Sequence, residues 1–571
     1  MRRLADNALQ VLKSRYLLRD ENGRICETPD QLFRRVADAV AQAELQWGGP
    51  DAAAQWSRSF YRLMTRLEFL PNSPTLMNAG LPKGQLSACF VLPLNDSLES
   101  IFTTLKNAAL IHQSGGGTGF NFSGLRPAGD VIASTGGVST GPVSFIGLFD
   151  FATETVRQGG KRRGANMGLL SVDHPDIRSF VQVKSGGRRL PNFNLSAVVT
   201  DAFMRAAETN GDWQLVNPRT GRITETAKAG DLWDLITEQA WLTGDPGLVF
   251  IDTVNRHNPV PGLGSIAGMN PCGEMPLLDF ESCNLGSINL SGMVRRTETK
   301  KQAVDWDKLA RIIPLAVRFL DDVIEVNRYV LPEIERVTRS TRKIGLGLMG
   351  WAEMLMQLGI PYASEEAVEL ARKLMAFVRD QSLDASAALA RDRGAFPAWD
   401  KSVFYPHLPL RNAARTSIAP TGTISIIAGT SSSIEPLFAL AFRRMGVLEG
   451  KDQWELNTVF LEKLKETGFW SEDLVRAIKD EGTLASIPGI PADLKRIFQT
   501  SLEIPWSYHV RHQAAFQEFT DNAVSKTINL PETATVHDIS DAFRTAWRLG
   551  VKGITVFRNG SRETQVLRPG K

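Results

Sequence analysis

The chain has 571 residues, more than most single domains, although a large α/β barrel can hold that length around one core. Hydrophobic residues make up 43% and charged residues 22%, which excludes a disordered or collagen-like protein. The formal net charge of +3 is too small for a protein that mainly binds nucleic acid. No apolar run is long enough to cross a membrane, and the first residues lack the apolar core of a signal peptide. We therefore expect a cytoplasmic protein that binds neither membranes nor nucleic acids.

The pattern of apolar residues divides the chain into three parts. Residues 1–85 show apolar positions at helical spacing, which predicts a small helical N-terminal region. From residue 86 to residue 563, short apolar strands alternate with helices, as in the predicted strand 87–94 and helix 98–114. That alternation predicts one large α/β domain. Residues 564–571 contain few apolar side chains and are expected to form a flexible tail.

The chain contains four cysteines, Cys26, Cys89, Cys272 and Cys283. Four are too few for a disulfide scaffold in a protein of this size. The two closest are eleven positions apart, whereas structural zinc sites usually contain two ligands separated by only a few residues. Without further context each would be read as a small buried hydrophobic residue.

The segment Asn270-Pro271-Cys272-Gly273-Glu274 combines an amide, a thiol and a carboxylate. In an extended backbone, side chains two residues apart point the same way at roughly 6–7 Å, so Asn270, Cys272 and Glu274 would line one face. A buried carboxylate is costly without a partner, which favours a chemical use for the segment. The alternative is a turn formed by Asn-Pro and Cys-Gly with Glu274 in solvent.

Glycine-rich stretches at 115–119, 159–164 and 345–350 are typical of loops that carry binding sites. The last of them spells the dinucleotide-binding fingerprint, but the residues before it are polar and basic rather than strand-like. We therefore predict that the glycines at 345–350 serve close packing of the backbone.

Residues 415–419 are predicted to form a strand, and the turn that follows is Pro420, Thr421, Gly422 and Thr423. Free N–H groups and two hydroxyls at a turn that opens a helix can bind phosphate. The turn lacks the Gly-Lys-Ser/Thr of a P-loop, so a Walker site is excluded. An ordinary strand-to-helix turn is the alternative.

Taken in order, these motifs resemble the ribonucleotide reductases, and specifically the adenosylcobalamin-dependent class II enzymes. The matching segments are 69–76, 86–90, 114–120, 159–166, 270–274 and 419–423. Each motif alone is weak, but the ordered set is specific. The resemblance implies a ten-stranded α/β barrel with Cys272 on a finger loop inside it, preceded by the small helical N-terminal region.

The resemblance also implies a role for each residue of the site. Cys272, as a thiyl radical, would take the hydrogen from C3′ of the ribose. Glu274 would act as base toward the 3′-hydroxyl, and Asn270 would hold that hydroxyl. Cys89 and Cys283 resemble the dithiol pair that donates two electrons and ends as a disulfide.

Substrate and effector contacts follow from the same resemblance. The implied substrate contacts are Ser73, Ala88, Gly117, Pro420, Thr421, Gly422 and Thr423. The implied effector contacts, for a deoxynucleotide or ATP, are Asp96, Arg126, Lys161, Lys184 and Arg188. The basic loops at 159–164 and 184–192 suit triphosphate binding, and their alternative interpretation is solvated surface.

Two features point to class II. Class I enzymes receive their radical from a second protein through paired tyrosines, whereas residues 553–558 contain none and no two tyrosines are adjacent anywhere. The eleven-residue step from Cys272 to Cys283 also resembles class II. Both features favour adenosylcobalamin as cofactor. The alternatives are a class I-like catalytic subunit that needs a radical-generating partner, and a non-catalytic nucleotide-binding regulator.

The family pattern further implies a homodimer that acts on ribonucleoside diphosphates to supply DNA precursors. The first 90 residues do not resemble an ATP-binding cone, and residues 96–144 are too short for the insertion found in monomeric triphosphate reductases. No cysteine follows Cys283. Re-reduction of the pair would then need an external dithiol such as thioredoxin, a separate cysteine-bearing subunit, or a tail that this sequence lacks.

Overall fold

The computed structural model describes residues 4–82, 84–133, 136–156, 164–186, 190–299, 301–448 and 451–561, and of residues 442–455 it describes the backbone alone. Lys161, Arg188 and the predicted tail 564–571 therefore lie outside the described residues. None of the described helices is both long and apolar enough to span a bilayer. The described residues contain no cluster of three or more metal-binding side chains.

The helices are α1 (Asp6–Arg15), α2 (Pro29–Ala41), α3 (Leu45–Thr65), α4 (Ser73–Asn78), α5 (Leu98–Ser114), α6 (Pro142–Thr155), α7 (Ile177–Gln182), α8 (Asp201–Thr209), α9 (Ala229–Thr243), α10 (Ile251–Arg256), α11 (Trp306–Val326), α12 (Pro332–Thr341), α13 (Trp351–Leu358), α14 (Glu365–Arg393), α15 (Ile424–Ala428), α16 (Thr458–Thr467), α17 (Glu472–Glu481), α18 (Ala492–Ile497), α19 (Trp506–Gln517) and α20 (Val536–Arg548).

The strands are β1 (Phe69–Pro71), β2 (Cys89–Val91), β3 (Gly117–Asn121), β4 (Val131–Ile132), β5 (Gly137–Val138), β6 (Asn166–Ser171), β7 (Phe193–Val199), β8 (Asp212–Val216), β9 (Ile223–Lys228), β10 (Gly247–Phe250), β11 (Gly268–Met269), β12 (Pro276–Leu277), β13 (Ser282–Asn289), β14 (Val294–Arg296), β15 (Gln302–Val304), β16 (Ile344–Met349), β17 (Ala441–Leu448), β18 (Lys451–Leu456), β19 (Thr527–Leu530) and β20 (Gly553–Arg558).

The central sheet is a barrel made of two parallel halves. Strands β2, β3, β6, β7 and β10 run parallel to one another in that order. Strands β13 and β16 form a parallel pair, as do β19 and β20. The halves meet through antiparallel contacts of β13 with β2 and of β10 with β20. Strands β10, β13 and β16 are buried along their whole length, as expected for barrel strands that are covered on both faces.

The barrel closes through a segment that follows residue 414. Leu346 of β16 bridges Thr416, and Ile418 bridges Val524, just before β19. With this segment counted as a strand, the closed ring contains ten, in agreement with the ten-stranded barrel that the sequence motifs implied. The predicted strand at 415–419 is thus a barrel element held by isolated bridges.

Two glycine-rich stretches that were predicted to be loops are barrel strands. Gly117 and Gly119 belong to β3, and Gly345 and Gly347 belong to β16. A Cβ atom on Gly347 would lie 2.4 Å from the carbonyl oxygen of Ser417, which confirms the predicted close packing of backbone. The loop prediction was wrong because a strand can also be rich in glycine where another backbone segment packs closely against it.

The N-terminal helices pack on one side of the barrel. The apolar positions Leu32, Phe33 and Val36 are fully buried, as their helical spacing predicted. The helical region also contains a strand, β1, which pairs with β13. Glu44, between α2 and α3, binds Arg393 of α14 at 2.6 Å and thereby ties the N-terminal helices to the barrel domain.

A hairpin inside the barrel carries the segment 270–274. Strands β11 and β12 pair antiparallel, and residues 270–275 form the tip that connects them. This finger loop, residues 268–277, lies against β3 so closely that only glycines fit there. A Cβ atom on Gly119 would lie 1.8 Å from the Met269 carbonyl oxygen, and one on Gly117 would lie 2.9 Å from Pro271 Cγ.

We predict that Gly119→Ala displaces the finger loop by about 1 Å and lowers turnover about a hundredfold, the cost typical of a misplacement of that size. The control is Gly292→Ala, because a Cβ atom on Gly292 would meet nothing within 4 Å. Steady-state kinetics and thermal unfolding of both variants test the prediction. An active Gly119→Ala protein would contradict the close contact.

Candidate active site

Three neighbouring strands bring the first part of the site together. In the register of the barrel, Cys283 of β13 lies opposite Cys89 of β2, which in turn lies beside Gly117 of β3. Residues directly opposite in an antiparallel pair have Cα atoms about 4.5–5.5 Å apart, within the range that a disulfide spans. Cys89 and Cys283 can therefore form a disulfide without movement of the backbone. Both are in the thiol form in the structure.

The tip of the finger loop is a turn, so the sequence-based prediction of an extended segment was wrong. The N–H of Gly273 donates to the Asn270 carbonyl oxygen at 3.0 Å, and Gly273 has a φ of 76°, a conformation that favours glycine. The alternative, a turn formed by Asn-Pro and Cys-Gly, is correct in the turn but wrong in placing Glu274 in solvent. Asn270 and Glu274 are 1% and 2% exposed, whereas Cys272 is exposed at the tip.

The buried side chains of the finger loop contact Cys89. Asn270 Nδ2 donates to Cys89 Sγ at 3.1 Å, and its Oδ1 accepts from the N–H of Met275 at 2.9 Å. Cys89 Sγ lies 3.9 Å from Glu274 Oε1. The amide, the carboxylate and one thiol of the pair thus form a single cluster, with Cys272 on the exposed side of the loop.

Neighbouring residues hold the tip of the loop by its backbone. Asn194 Nδ2 donates to the Pro271 carbonyl oxygen at 2.8 Å. The Ser417 hydroxyl and the N–H of Ala523 both donate to the Glu274 carbonyl oxygen at 2.9 Å. Cys272 is therefore flanked on both sides by anchored backbone.

A cavity of about 370 Å³ opens beside Cys272. Its wall includes Pro271 and Gly273 of the finger loop, Pro420 of the predicted phosphate turn, and residues 553–557 of β20. Residues 553–557, where the sequence has no paired tyrosines, therefore lie next to the exposed thiol.

Cys283 is the deeper thiol of the pair and is 0% exposed. Its Sγ donates to the carbonyl oxygens of Asn284 at 3.1 Å and Lys343 at 3.4 Å. Burial raises the pKa of Cys283 well above its usual value, and the Glu281 carboxylate raises it further. Cys283 is therefore held as a neutral thiol.

The predicted substrate residues lie on segments that border this cluster. The N–H of Ala88 donates to the Cys283 carbonyl oxygen at 3.1 Å, and the N–H of Gly117 donates to the Ala88 carbonyl oxygen at 3.0 Å. Ser73, the first residue of α4, shares a 2.7 Å hydrogen bond with the hydroxyl of Tyr16. Tyr16 belongs to the N-terminal helical region, so that region contributes to the setting of Ser73.

The turn 420–423 precedes the five-residue helix α15, as predicted. Thr421 is buried with a φ of 56°, and its hydroxyl accepts from the N–H of Ser433 at 2.7 Å. A positive φ in a β-branched residue is costly, and the surrounding contacts hold it in place. The Thr421 hydroxyl thus binds a segment outside the turn, while Pro420 faces the cavity.

The predicted effector residues fall into separate pairs. Arg126 Nε binds Asp96 Oδ2 at 2.8 Å, so these two lie together. Lys184 instead binds Asp245 at 3.1 Å and donates to the Phe193 carbonyl oxygen. Lys161 and Arg188 lie outside the described residues.

Comparison with known proteins assigns the family. Residues 2–84 match the profile described as "Ribonucleotide reductase, all-alpha domain", and residues 87–408 and 406–557 match "Ribonucleotide reductase, barrel domain". The chain belongs to the ribonucleotide reductase family. The class II resemblance inferred from the motifs agrees with the names of its similar relatives.

A protein of Mycobacterium tuberculosis (strain CDC 1551 / Oshkosh), named "Vitamin B12-dependent ribonucleoside-diphosphate reductase", is 53% identical over 98% of this chain and 80% of its own length. A protein of Thermoplasma acidophilum with the same name is 48% identical over 100% of this chain and 80% of its own length. Among solved structures, the Actinobacillus ureae class Id ribonucleotide reductase alpha subunit has a TM-score of 0.80, with 24% identity over 98% of this chain and 97% of that one. That likeness shows the reductase fold.

Several residues around the reductase site were missed in the sequence. Asn194 and Ser417 hold the finger loop, and Tyr16 contacts Ser73. The signal for Asn194 was a polar residue in the mainly apolar strand β7. Tyr16 and Ser417 gave no such signal, because their partners are distant in sequence.

We predict that mild oxidation with diamide joins Cys89 to Cys283 and leaves Cys26 unpaired. The register of β2 and β13 sets the two thiols opposite each other, whereas Cys26 is exposed on the N-terminal region. Peptide mass spectrometry after alkylation identifies the crosslink. Absence of a Cys89–Cys283 peptide would contradict the register.

Proposed function

We propose that this chain reduces ribonucleoside diphosphates to 2′-deoxyribonucleotides, with adenosylcobalamin as cofactor, and so supplies precursors for DNA synthesis and repair. The names of the relatives support the substrate and the cofactor. The observation that carries the proposal is the cluster around Cys89, which lies opposite Cys283 and contacts both Asn270 and Glu274. A protein that only binds nucleotides would not need this combination of two thiols, an amide and a carboxylate.

The cavity beside Cys272 suits the cofactor. It reaches the exposed thiol of the finger loop, and its wall combines apolar side chains such as Leu248 and Ile554 with polar ones such as Gln513. The residues that would hold the adenosyl group are Ser196, Gly244, Pro271, Gln513, Gly553 and Thr555. When bound, adenosylcobalamin supplies a carbon-centred radical by homolysis of its cobalt–carbon bond.

In the proposed reaction Cys272 gives up its thiol hydrogen and, as a thiyl radical, takes hydrogen from C3′ of the ribose. Glu274 accepts the proton of the 3′-hydroxyl, which Asn270 holds in place. Water leaves from C2′, and the Cys89 and Cys283 thiols together supply two electrons and two hydrogens. The products are the deoxynucleotide, water and a Cys89–Cys283 disulfide, and the C3′ hydrogen returns from Cys272.

The remaining substrate contacts are proposed on the same basis. Ala88 and Gly117 border the thiol pair, Ser73 follows strand β1, which pairs with β13, and Pro420 of the turn 420–423 borders the cavity. Free N–H groups at that turn suit the two phosphates of a diphosphate substrate.

A class I-like catalytic subunit is not favoured. Residues 553–557 line the cavity beside Cys272, and the aromatic residue among them is the single Phe557, which cannot relay a radical as a tyrosine does. The second alternative, a regulator that only binds nucleotides, leaves the intact thiol pair unexplained.

Regulation and assembly are proposed as follows. A deoxynucleotide or ATP binds near Asp96 and Arg126 at a homodimer interface, with Lys161, Lys184 and Arg188 on the adjoining loops. Helix α5 packs beside α6, and the two present Leu98, Phe102 and Phe151 at 66%, 53% and 72% exposure. Exposed apolar side chains on adjacent helices are typical of an interface.

We further propose a cytoplasmic location. The Cys89–Cys283 disulfide must be reduced in every turnover by a dithiol such as thioredoxin or by a separate cysteine-bearing subunit. Dithiol reductants of this kind operate in reducing compartments.

Addition of adenosylcobalamin and dithiothreitol to the purified chain is expected to convert ribonucleoside diphosphates to deoxynucleotides, and omission of the cofactor should abolish conversion. Product chromatography measures the outcome. Activity that requires a second, radical-generating protein would favour the class I-like alternative. Turnover restricted to triphosphates would contradict the proposed substrate.

In the same assay Cys272→Ser should abolish reduction and leave nucleotide binding intact, since an alcohol oxygen forms no comparable radical. The matched control is Cys26→Ser, which changes an exposed cysteine of the N-terminal region and should keep full activity. Binding is measured by calorimetry with a ribonucleoside diphosphate. An active Cys272→Ser enzyme would refute the radical assignment.

Phe151→Glu is expected to weaken dimerisation at least about tenfold, because it introduces a charge into the proposed apolar interface. Val403→Glu is the control, since Val403 is similarly exposed, at 61%, on a different segment. Analytical ultracentrifugation gives both dissociation constants. A wild-type chain that stays monomeric with effector present would refute the dimer.

A further inference from the structure

A wholly buried ion pair lies beside Cys283. Lys343 Nζ binds Glu281 Oε2 at 2.8 Å, and both side chains are 0% exposed. Glu281 precedes Cys283 by two residues, and the Lys343 carbonyl oxygen accepts from Cys283 Sγ at 3.4 Å. The reduction of substrate proposed above makes no use of this pair.

Stability alone does not account for the two charges. Taking an ion pair out of water costs about as much as the attraction returns, and uncharged replacements are often neutral. Glu281 also accepts hydrogen bonds from the N–H of Leu278 and the hydroxyl of Thr341, and an uncharged amide could fill that role. Among the described residues, the Lys343 ammonium donates to Glu281 alone. The charge of Lys343 therefore needs another explanation.

We propose that the Lys343–Glu281 pair sets the charge that the Cys283 sulfur can carry, and so controls the step in which a dithiol reductant restores the Cys89–Cys283 pair. The inference rests on the proposed function, because it assumes that this disulfide forms in turnover. Lys343 and Glu281 act here as positioning residues, since they touch neither substrate nor cofactor.

Access decides which sulfur the reductant attacks. Both thiols are buried, but Cys89 Sγ contacts Asn270 and Glu274 of the finger loop, whereas Cys283 Sγ faces backbone carbonyls on the far side of the pair. A reductant that enters from the side of the finger loop therefore meets Cys89 first. Cys283 is then the leaving sulfur.

The disulfide is reduced in two exchange steps. A thiolate of the dithiol forms a bond to Cys89 Sγ, and the Cys89–Cys283 bond breaks with its electron pair on Cys283. The second thiolate of the reductant then attacks the reductant's own sulfur in the mixed disulfide and releases Cys89. Two electrons pass from the dithiol to the cysteine pair, the dithiol becomes a disulfide, and its two protons end on Cys89 and Cys283.

The two charges of the pair act on the departing sulfur in opposite directions. Burial and the Glu281 carboxylate raise the pKa of Cys283, and the Lys343 ammonium lowers it. A leaving thiolate is expelled faster when its charge is stabilised. Loss of the cation should therefore slow the exchange, whereas loss of the carboxylate should not.

The test measures reduction of the disulfide directly. Each enzyme is oxidised by one turnover without reductant, mixed with dithiothreitol, quenched with iodoacetamide and analysed for alkylated Cys283. Lys343→Met is expected to lower the rate constant about tenfold, and Glu281→Gln should equal or exceed the wild type. The control is Lys552→Met, which removes another buried lysine, one that donates to the carbonyl oxygens of Asp521 and Asn522.

Opposite responses separate this role from a structural one. If Lys343→Met and Glu281→Gln slow the exchange alike, or if Lys552→Met slows it as much, the inference is wrong. The amount of product formed in the single turnover counts intact sites, so misfolded protein does not enter the rate constant. If the wild type makes no product, the proposed function fails instead, and the disulfide made with diamide still tests the charge effect.

A second experiment tests which of the two sulfurs the reductant attacks. Oxidised wild-type enzyme is treated with glutathione, a monothiol that cannot complete the exchange, and peptides are analysed by mass spectrometry. The mixed disulfide is expected on Cys89. Glutathione found mainly on Cys283 would overturn the assignment of Cys283 as the leaving sulfur.

Discussion

The close approach of the finger loop to β3 is the constraint on which the site depends. The backbone of Met269 packs directly against Gly119. Because Gly119 has no side chain, the loop can enter the barrel at this point. Once inside, the loop is held by Asn194 and Ser417. The exposed tip and the buried flank then face different surroundings, so one five-residue segment can present Cys272 to a cavity and Glu274 to a thiol.

Sequence patterns predicted the elements well where the chain interacts with itself locally. Helix α5 has the bounds expected from its spacing, and the buried positions of α2 follow its apolar stripe. The patterns failed where a distant segment decides the conformation. Segment 270–274 was expected to be extended, but the contacts of the hairpin with β3 and with Asn194 bend it into a turn.

The site itself was accessible from sequence only through the ordered motifs. Nothing in the spacing of Cys89 and Cys283 indicates that they face each other, because the register of β2 and β13 depends on the whole barrel. Tyr16 and Lys343 went unnoticed for the same reason. Their partners, Ser73 and Glu281, are brought close by packing between separate parts of the chain.

The two thiols of the pair differ in the physical properties that their tasks require. Cys89 accepts an amide hydrogen bond from Asn270 and lies 3.9 Å from Glu274 Oε1, so an acceptor for its proton is close by. Cys283 has backbone carbonyls as acceptors and no solvent, which favours the neutral thiol. Because the surroundings of the two sulfurs differ, a reductant meets them in a defined order. Because strand register fixes the separation of the two sulfurs, the surrounding charges are what remains to set that order.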